Sequence, residues 1–398
     1  MFPLLELYLD RAIHTGALSV TDASGTTRTW GDGTGTAVHL RFNSRASERA
    51  VALDPALRLG ECYMDGQVDL IEGSTFDLVR LVMENAGVEA TGQVWMRLAE
   101  HVRRISRQLV ESNSPRRSRH NVEHHYDLSH EFFSLFLDAD RQYSCAYFET
   151  PDATLEEAQL AKKRHLASKM AMDADDLRVL DIGCGWGGLG LYLARNCRAR
   201  VTGVTLSSQQ QTVARERAEA AGLAERARFE LQDYRTAKGC FDRIVSVGMF
   251  EHVGLRHYTE YFRRCADLLD EDGIMVLHSI GQSDVPAATN GFLAKYIFPG
   301  GYIPSLSQVL LAAENAGLIV TDVEVLRLHY AETLRHWRGR FQTNRERARA
   351  LYDERFCRMW EFYLAISEGS FRWQNMMVFQ LQLARRSDVL PTTRTYLF

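Results

Sequence analysis

The chain is short of several things, and each shortage removes a class of function. Its seven cysteines, Cys62, Cys145, Cys184, Cys197, Cys240, Cys265 and Cys357, form no C-x-x-C pair. A zinc site is therefore not expected, and no metal site is assigned. The odd count and wide scatter point to free thiols in a reducing compartment. Net charge is −4, so no global basic field draws the chain to nucleic acid. No uninterrupted apolar run approaches the roughly 20 residues of a membrane span. The opening MFPLLELYLDRAIHTG lacks a basic leader and carries Glu6 and Asp10, which argues against a secretory signal. If this chain meets a membrane, it does so from the side. What is present is the composition of a soluble globular protein, 45% hydrophobic and 25% charged. Its 398 residues lead us to expect two domains, or one large domain with an appendage.

Residues 1–90 mix short strands and helices. GDGTGT is a turn-rich connection, and TAVHLRF alternates Val38, Leu40 and Phe42 as a half-buried strand does. FDLVRLVMENAG (76–87) is expected to be a helix ending at Gly87. Between 94 and 110, Val94, Leu98, Val102, Ile105 and Leu109 form one helical stripe, opposite Arg97, Arg103, Arg104 and Arg107. SNSPRRSRH (112–120) follows as a basic linker. Two readings stand: a solvated helix between domains, or a basic amphipathic element that settles on anionic lipid. From about 175 onward, strands and helices alternate. The expected strands are LRVLDIG (177–183), RVTGVTL (200–206), ARFEL (227–231), DRIVSVGM (242–249) and IMVLHSI (274–280). Such alternation builds a parallel sheet with right-handed crossovers. NMMVFQLQLA adds a final strand through Met377, Phe379, Leu381 and Leu383.

VLDIGCGWGGLGLYLAR (179–195) is strand, glycine-rich turn, helix. Gly183, Gly185 and Gly188 satisfy G-x-G-x-x-G, so a nicotinamide site has to be weighed. That site wants an acidic residue about 20 positions on, and residues 196–212 contain none. Asp181 instead precedes the loop, and Gly187 adds a third alternate glycine. This pattern suits S-adenosylmethionine, whose amino-acid end carries an ammonium as well as a carboxylate. Asp233, after the third strand, is placed to contact the adenine. The bland alternative is a tight turn that binds nothing. Ligands of open α/β sheets bind beyond the carboxyl ends of the strands. Glu251 follows the fourth strand there, His278 ends the fifth, and Tyr330 follows TDVEVLRL. Singly, a strand histidine is ordinarily a core residue and a tyrosine ordinarily packing. Together, a carboxylate, an imidazole and a phenol are expected to converge near one methyl donor.

HHYDLSHEFFSLFLD (124–138), QYSCAYFE (142–149), VLDIGCGWGG, GVTLSSQQ, SVGMFEHVG, VLHSIG, YIFPGGYIPS and HYAETLRHW occur in that order. In these motifs the chain resembles the cyclopropane-fatty-acyl-phospholipid synthases, with the mycolic acid cyclopropane synthases as close relatives. The first 90 residues resemble the smaller N-terminal domain of the bacterial phospholipid enzymes. One departure is Ser129 and His130, where the family commonly has Gly-Asn. The resemblance implies an α/β fold: a Rossmann-like class I methyltransferase with a seven-stranded sheet and a lid insertion, plus a smaller α+β N-terminal domain. It divides the chain into a lipid- or membrane-associated domain (1–90), a basic helix and linker (91–120) and a catalytic domain (121–398).

The implied reaction moves a methylene from S-adenosylmethionine to the cis double bond of a phospholipid acyl chain. An alkene is a weak nucleophile, so it must be held in line with the methyl, away from water. A bound bicarbonate serves related enzymes as base. By resemblance its cradle is Cys145, Glu251, His278, the Ile280 backbone and Tyr330. Glu251 would share a proton with the anion, and His278 would compensate charge. Cys145 is thus an anion-site wall, not a nucleophile. The cofactor positions carried over are Tyr143, Ser144, Asp181, Gly183, Gly185, Gly187, Thr205, Leu206, Gln210, Asp233 and Tyr234. The aromatic, glycine-containing NGFLAKYIFPGGYIPS (290–305) would be a lid over the acyl chain, or a packed cover without lipid contact. Residues 351–373, helical and aromatic, either cover the substrate channel or form a homodimer contact. The implied setting is the inner face of the membrane, reached peripherally from the cytoplasm. Alternatives are a methyl- or methylene-branching fatty-acyl methyltransferase, a small-molecule N-methyltransferase, or an inactive lipid-binding protein.

Overall fold

A computed structural model describes residues 1–86, 128–283 and 290–397. The amphipathic stripe at 94–110 and the linker at 112–120 lie outside the described residues. Described residues form two compact units, neither continuous in sequence. One contains 1–86, 290–299 and 331–376, and the other 128–283, 300–330 and 377–397.

The first unit is built on a four-stranded sheet of order β2-β1-β3-β4. The strands are β1 (Ala17–Thr21), β2 (Thr27–Trp30), β3 (Ala37–Phe42) and β4 (Val68–Glu72). Val38, Leu40 and Phe42 alternate into the core, as the period of two requires. The helix at 76–87 is found as Thr75–Ala86. Two glycines let helices approach closely. A Cβ on Gly60, in the helix Pro55–Met64, would come within 2.5 Å of Phe292. One on Gly369, in the helix Glu354–Trp373, would come within 2.6 Å of Met83. Phe292 is fully buried in the short helix Gly291–Tyr296. The buried Glu61 carboxylate accepts from Lys295 Nζ at 2.6 Å and from the Tyr296 hydroxyl at 2.8 Å. Residues 290–299 therefore pack as part of this unit through an apolar anchor and an ion pair.

The second unit carries a seven-stranded sheet of order β10-β11-β9-β8-β5-β6-β7. Its strands are β5 (Arg178–Ile182), β6 (Arg200–Thr205), β7 (Ala227–Leu231), β8 (Phe241–Val247), β9 (Leu269–Gln282), β10 (Ile319–Val325) and β11 (Met376–Ala384). β5 pairs in parallel with β6 and β8, β6 with β7, and β8 with β9, whereas β10 and β11 are antiparallel. The Rossmann-like architecture expected from the alternating pattern is thus realised. Chain order reverses at β5, between β6 and β8, and such a switch point opens a crevice at the strand ends. The helix Leu155–Lys169, started by a capping box of Thr154 and Glu157, was not foreseen.

Candidate active site

A cavity opens at the carboxyl ends of β5, β6 and β8. Of the expected cofactor residues, Tyr143, Ser144, Asp181, Gly183, Gly185, Thr205, Leu206, Gln210, Asp233 and Tyr234 line it. Gly183 (φ 81°) and Gly185 (φ 54°) take left-handed conformations that a side chain would resist. Gly187 is not on the wall. A Cβ there would lie 2.8 Å from Phe229 and 2.9 Å from Ala214, so it serves helix–sheet packing instead. Thr205 Oγ1 donates to Gln210 Oε1 at 3.1 Å and accepts from the Ser207 amide at 3.2 Å. Ser207 caps the helix Ser208–Ala220, which fixes the TLSSQQ corner. Both Asp233 oxygens accept from the Arg235 guanidinium, at 2.9 and 2.6 Å, so an adenine contact would have to share them.

Asp181 is the unusual wall residue. It is buried, and its Oδ2 has no partner among the described residues. Burial pushes its pKa up to about 7, against the pull of the Lys162 charge. An unpaired buried carboxylate oxygen facing a cavity fits a ligand that brings an ammonium.

The five residues expected to cradle an anion do not line this cavity. Cys145, His278 and Tyr330 are buried and Glu251 and Ile280 half-buried; Cys145 follows the wall residue Ser144, Glu251 precedes the wall residue His252, and the five fall into two groups. In the first, Glu251 Oε1 accepts from the Ile280 amide at 2.6 Å, while Oε2 is buried without a partner among the described residues. Burial raises the Glu251 pKa, and the Ile280 amide pulls the other way. His278 lies two residues before Ile280 on β9, and its carbonyl accepts from the Gly248 amide at 3.0 Å. Its Nδ1 lies 3.1 Å from Gln380 Nε2. Burial, aided by the Lys162 charge, pushes its pKa down to about 3. His278 is therefore neutral at pH 7 and offers a hydrogen bond, not the compensating charge expected from the sequence. In the second group, Cys145 is buried and its thiol lies 3.3 Å from the Ala146 carbonyl. Tyr330 is buried in the first turn of the helix His329–Thr343. Its neighbour His329 ties that turn to the QYSCAYFE segment. His329 Nδ1 accepts from the Phe148 amide at 2.9 Å. The Tyr147 ring stacks between His329 at 4.9 Å and His165 at 4.3 Å.

Sequence reasoning missed the helix behind this site. Gln159 Nε2 donates to the Ser144 and Gln142 carbonyls, and the Lys162 ammonium to Ser144 Oγ and Gln142 Oε1. Lys169 is fully buried and paired with Asp322 at 2.6 Å and Glu324 at 2.8 Å. Leu155, Gln159, Lys162, Leu166 and Lys169 share one face, so polar residues stand on an apolar stripe. That misplacement was the available signal. His252, also unforeseen, lines the cavity, and burial lowers its pKa to about 4.

A Rossmann-like sheet, a glycine loop at its switch point and an acidic wall residue define a class I S-adenosylmethionine-dependent methyltransferase. The family described as mycolic acid cyclopropane synthetase matches residues 113–381, and a domain of unknown function matches residues 9–92. The chain is 38% identical over 335 residues to a probable fatty acid methyltransferase of Pseudomonas putida, covering 80% of each. It is 37% identical over 339 residues to the cyclopropane-fatty-acyl-phospholipid synthase of Escherichia coli (strain K12), covering 85% of each. Among solved structures it is similar to mycolic acid cyclopropane synthase CmaA1 complexed with SAH and CTAB. That match is 35% identical, with a TM-score of 0.63, and covers 67% of this chain and 97% of the other. The chain belongs to the mycolic acid cyclopropane synthetase family.

Proposed function

We propose that the protein transfers a methylene from S-adenosylmethionine to the cis double bond of unsaturated phospholipid acyl chains, with bound bicarbonate as the base. The observation that carries this reading is Glu251, whose Oε1 is locked by the Ile280 amide while Oε2 is buried and unpaired among the described residues. S-adenosylmethionine supplies an electrophilic methyl. Asp181 meets its ammonium, Gly183 and Gly185 allow close backbone approach, and Asp233 and Tyr234 meet the adenosine end. Bicarbonate supplies a proton acceptor. Cys145, Glu251, His278, the Ile280 backbone and Tyr330 hold it. Glu251 and the anion share a proton, which removes the repulsion between like charges, and burial, by raising the Glu251 pKa, favours that sharing. Neutral His278 adds a second donor. The cationic field comes from the buried Lys162 and Lys169.

Residues 1–90 serve as the lipid-associated part, 91–120 as a basic membrane-docking element, and 121–398 as the catalytic part. Among the described residues no helix is long and apolar enough to cross a membrane. The protein works peripherally at the cytoplasmic face, and residues 351–373 either cover the substrate channel or form a homodimer contact. The test is incubation with S-adenosylmethionine and vesicles of cis-monounsaturated phospholipid. Released fatty acids should gain one CH2, lose olefinic protons and show high-field ring protons. Gain of carbon without ring protons would move the reading to a branching fatty-acyl methyltransferase. Turnover on neutral vesicles equal to that on anionic ones at low salt would remove the basic docking element.

A further inference from the structure

The helix Leu155–Lys169 grips the 142–144 segment from behind at two points one turn apart. Gln159 holds its carbonyls, and Lys162 holds its side chains. Lys162 is fully buried, far from where a lysine normally sits. Its ammonium donates to Ser144 Oγ at 2.7 Å and to Gln142 Oε1 at 2.8 Å. The other end of the Gln142 amide donates to Asp140 at 3.0 Å, so that amide cannot turn away. An oxygen that accepts from an ammonium keeps its own hydrogen turned elsewhere. Ser144 lines the cavity, and no described residue accepts its hydroxyl hydrogen. That hydrogen is therefore a donor held toward the cavity, and the charge behind it strengthens it.

We propose that Lys162 is a positioning residue that aims the Ser144 hydroxyl at the carboxylate of the methyl donor's amino-acid end. The inference rests on the S-adenosylmethionine reading of the cavity. It also divides the work on a zwitterion: Asp181 answers the ammonium, and the Lys162–Ser144 pair answers the carboxylate. Burial draws the Lys162 pKa down to about 8, opposed first by Asp138, so the ammonium form prevails at neutral pH.

The test is calorimetric binding to the full chain of two ligands, S-adenosylmethionine and its decarboxylated analogue. The analogue keeps the sulfonium and an ammonium but lacks the carboxylate. Wild type should bind S-adenosylmethionine more tightly. Lys162→Met should weaken S-adenosylmethionine by about 10- to 100-fold, the range of a lost charged hydrogen bond. The same variant should change the analogue by less than about threefold, so the preference collapses. Lys162→Arg, which keeps the charge, should restore part of it. Equal weakening of both ligands would mean that Lys162 only braces the wall, and the proposal would be wrong. Unchanged S-adenosylmethionine affinity would overturn it as well. If Lys162→Met does not fold, Ser144→Ala serves: a selective loss for the carboxylate-bearing ligand supports the proposal, and an equal loss overturns it. Failure of wild type to bind S-adenosylmethionine would overturn the cofactor reading itself, an outcome visible before any variant is made.

Discussion

The cofactor cavity and the Glu251 group stand at neighbouring strand ends but handle charge in opposite ways. On the cavity wall, Asp233 is held as an ion by Arg235, and Asp181 sits near neutrality with an oxygen to spare. Around Glu251 and His278, burial drives both groups toward their uncharged forms. The first arrangement suits a ligand with fixed charges of both signs. The second suits a small anion that must be surrounded by donors and not by another anion. The difference teaches that one sheet edge can keep an ionised carboxylate on a cavity wall and uncharged groups a few residues away.

The largest test of this contrast is Glu251→Gln. It removes the carboxyl group and should lower product formation by about 10²- to 10⁴-fold, with S-adenosylmethionine affinity nearly unchanged by calorimetry. Comparable loss of binding would merge the two regions into one. The next effect concerns pH. Asp181, with a value of about 7, should attract an ammonium only once ionised. Binding of S-adenosylmethionine should tighten from pH 6 to 7.5 by up to about tenfold, and Asp181→Asn should flatten that rise. Stability should move oppositely. The folded pKa lies above the unfolded one, so folding favours the protonated form. The penalty for ionising Asp181 grows above the unfolded value and is complete above about 7. Without ligand, Asp181→Asn should therefore raise the melting temperature more at pH 8 than at pH 5. The smallest effect is His329→Ala. It removes the acceptor of the Phe148 amide and one face of the Tyr147 stack, and should cost about 1–3 kcal/mol in denaturant unfolding. Turnover should fall while cofactor affinity holds; the reverse pattern would place this stack with the cavity.

How much of this was readable beforehand depended on distance along the chain. The glycine loop and the TLSSQQ corner are local: turns and caps dictate them within a few residues. Ten of the eleven expected cofactor positions accordingly line the cavity, and Gly187 differs because alternation cannot tell a wall glycine from a packing one. The five parallel strands were legible from apolar runs between turn signals. The helix Leu155–Lys169 was not, because lysines at 162, 163 and 169 look like a solvated face. Only the fold reveals that Asp140, Ser144, Asp322 and Glu324 receive those charges. Nor does any local pattern place 290–299 and 331–376 with the first 86 residues. Gly60 and Phe292 meet through packing that spans most of the chain.

That last feature has a kinetic side. During synthesis the helix Pro55–Met64 emerges with a bare notch at Gly60 that Phe292 and Phe362 later fill. Phe362 follows roughly 300 residues behind. At 5–20 residues per second, the ribosome needs about 15–60 s to deliver it. Throughout that interval the nascent N-terminal unit is an unfinished mould with apolar surface open to other chains. Yield of folded protein should therefore depend on translation speed and on chaperones that shield that notch.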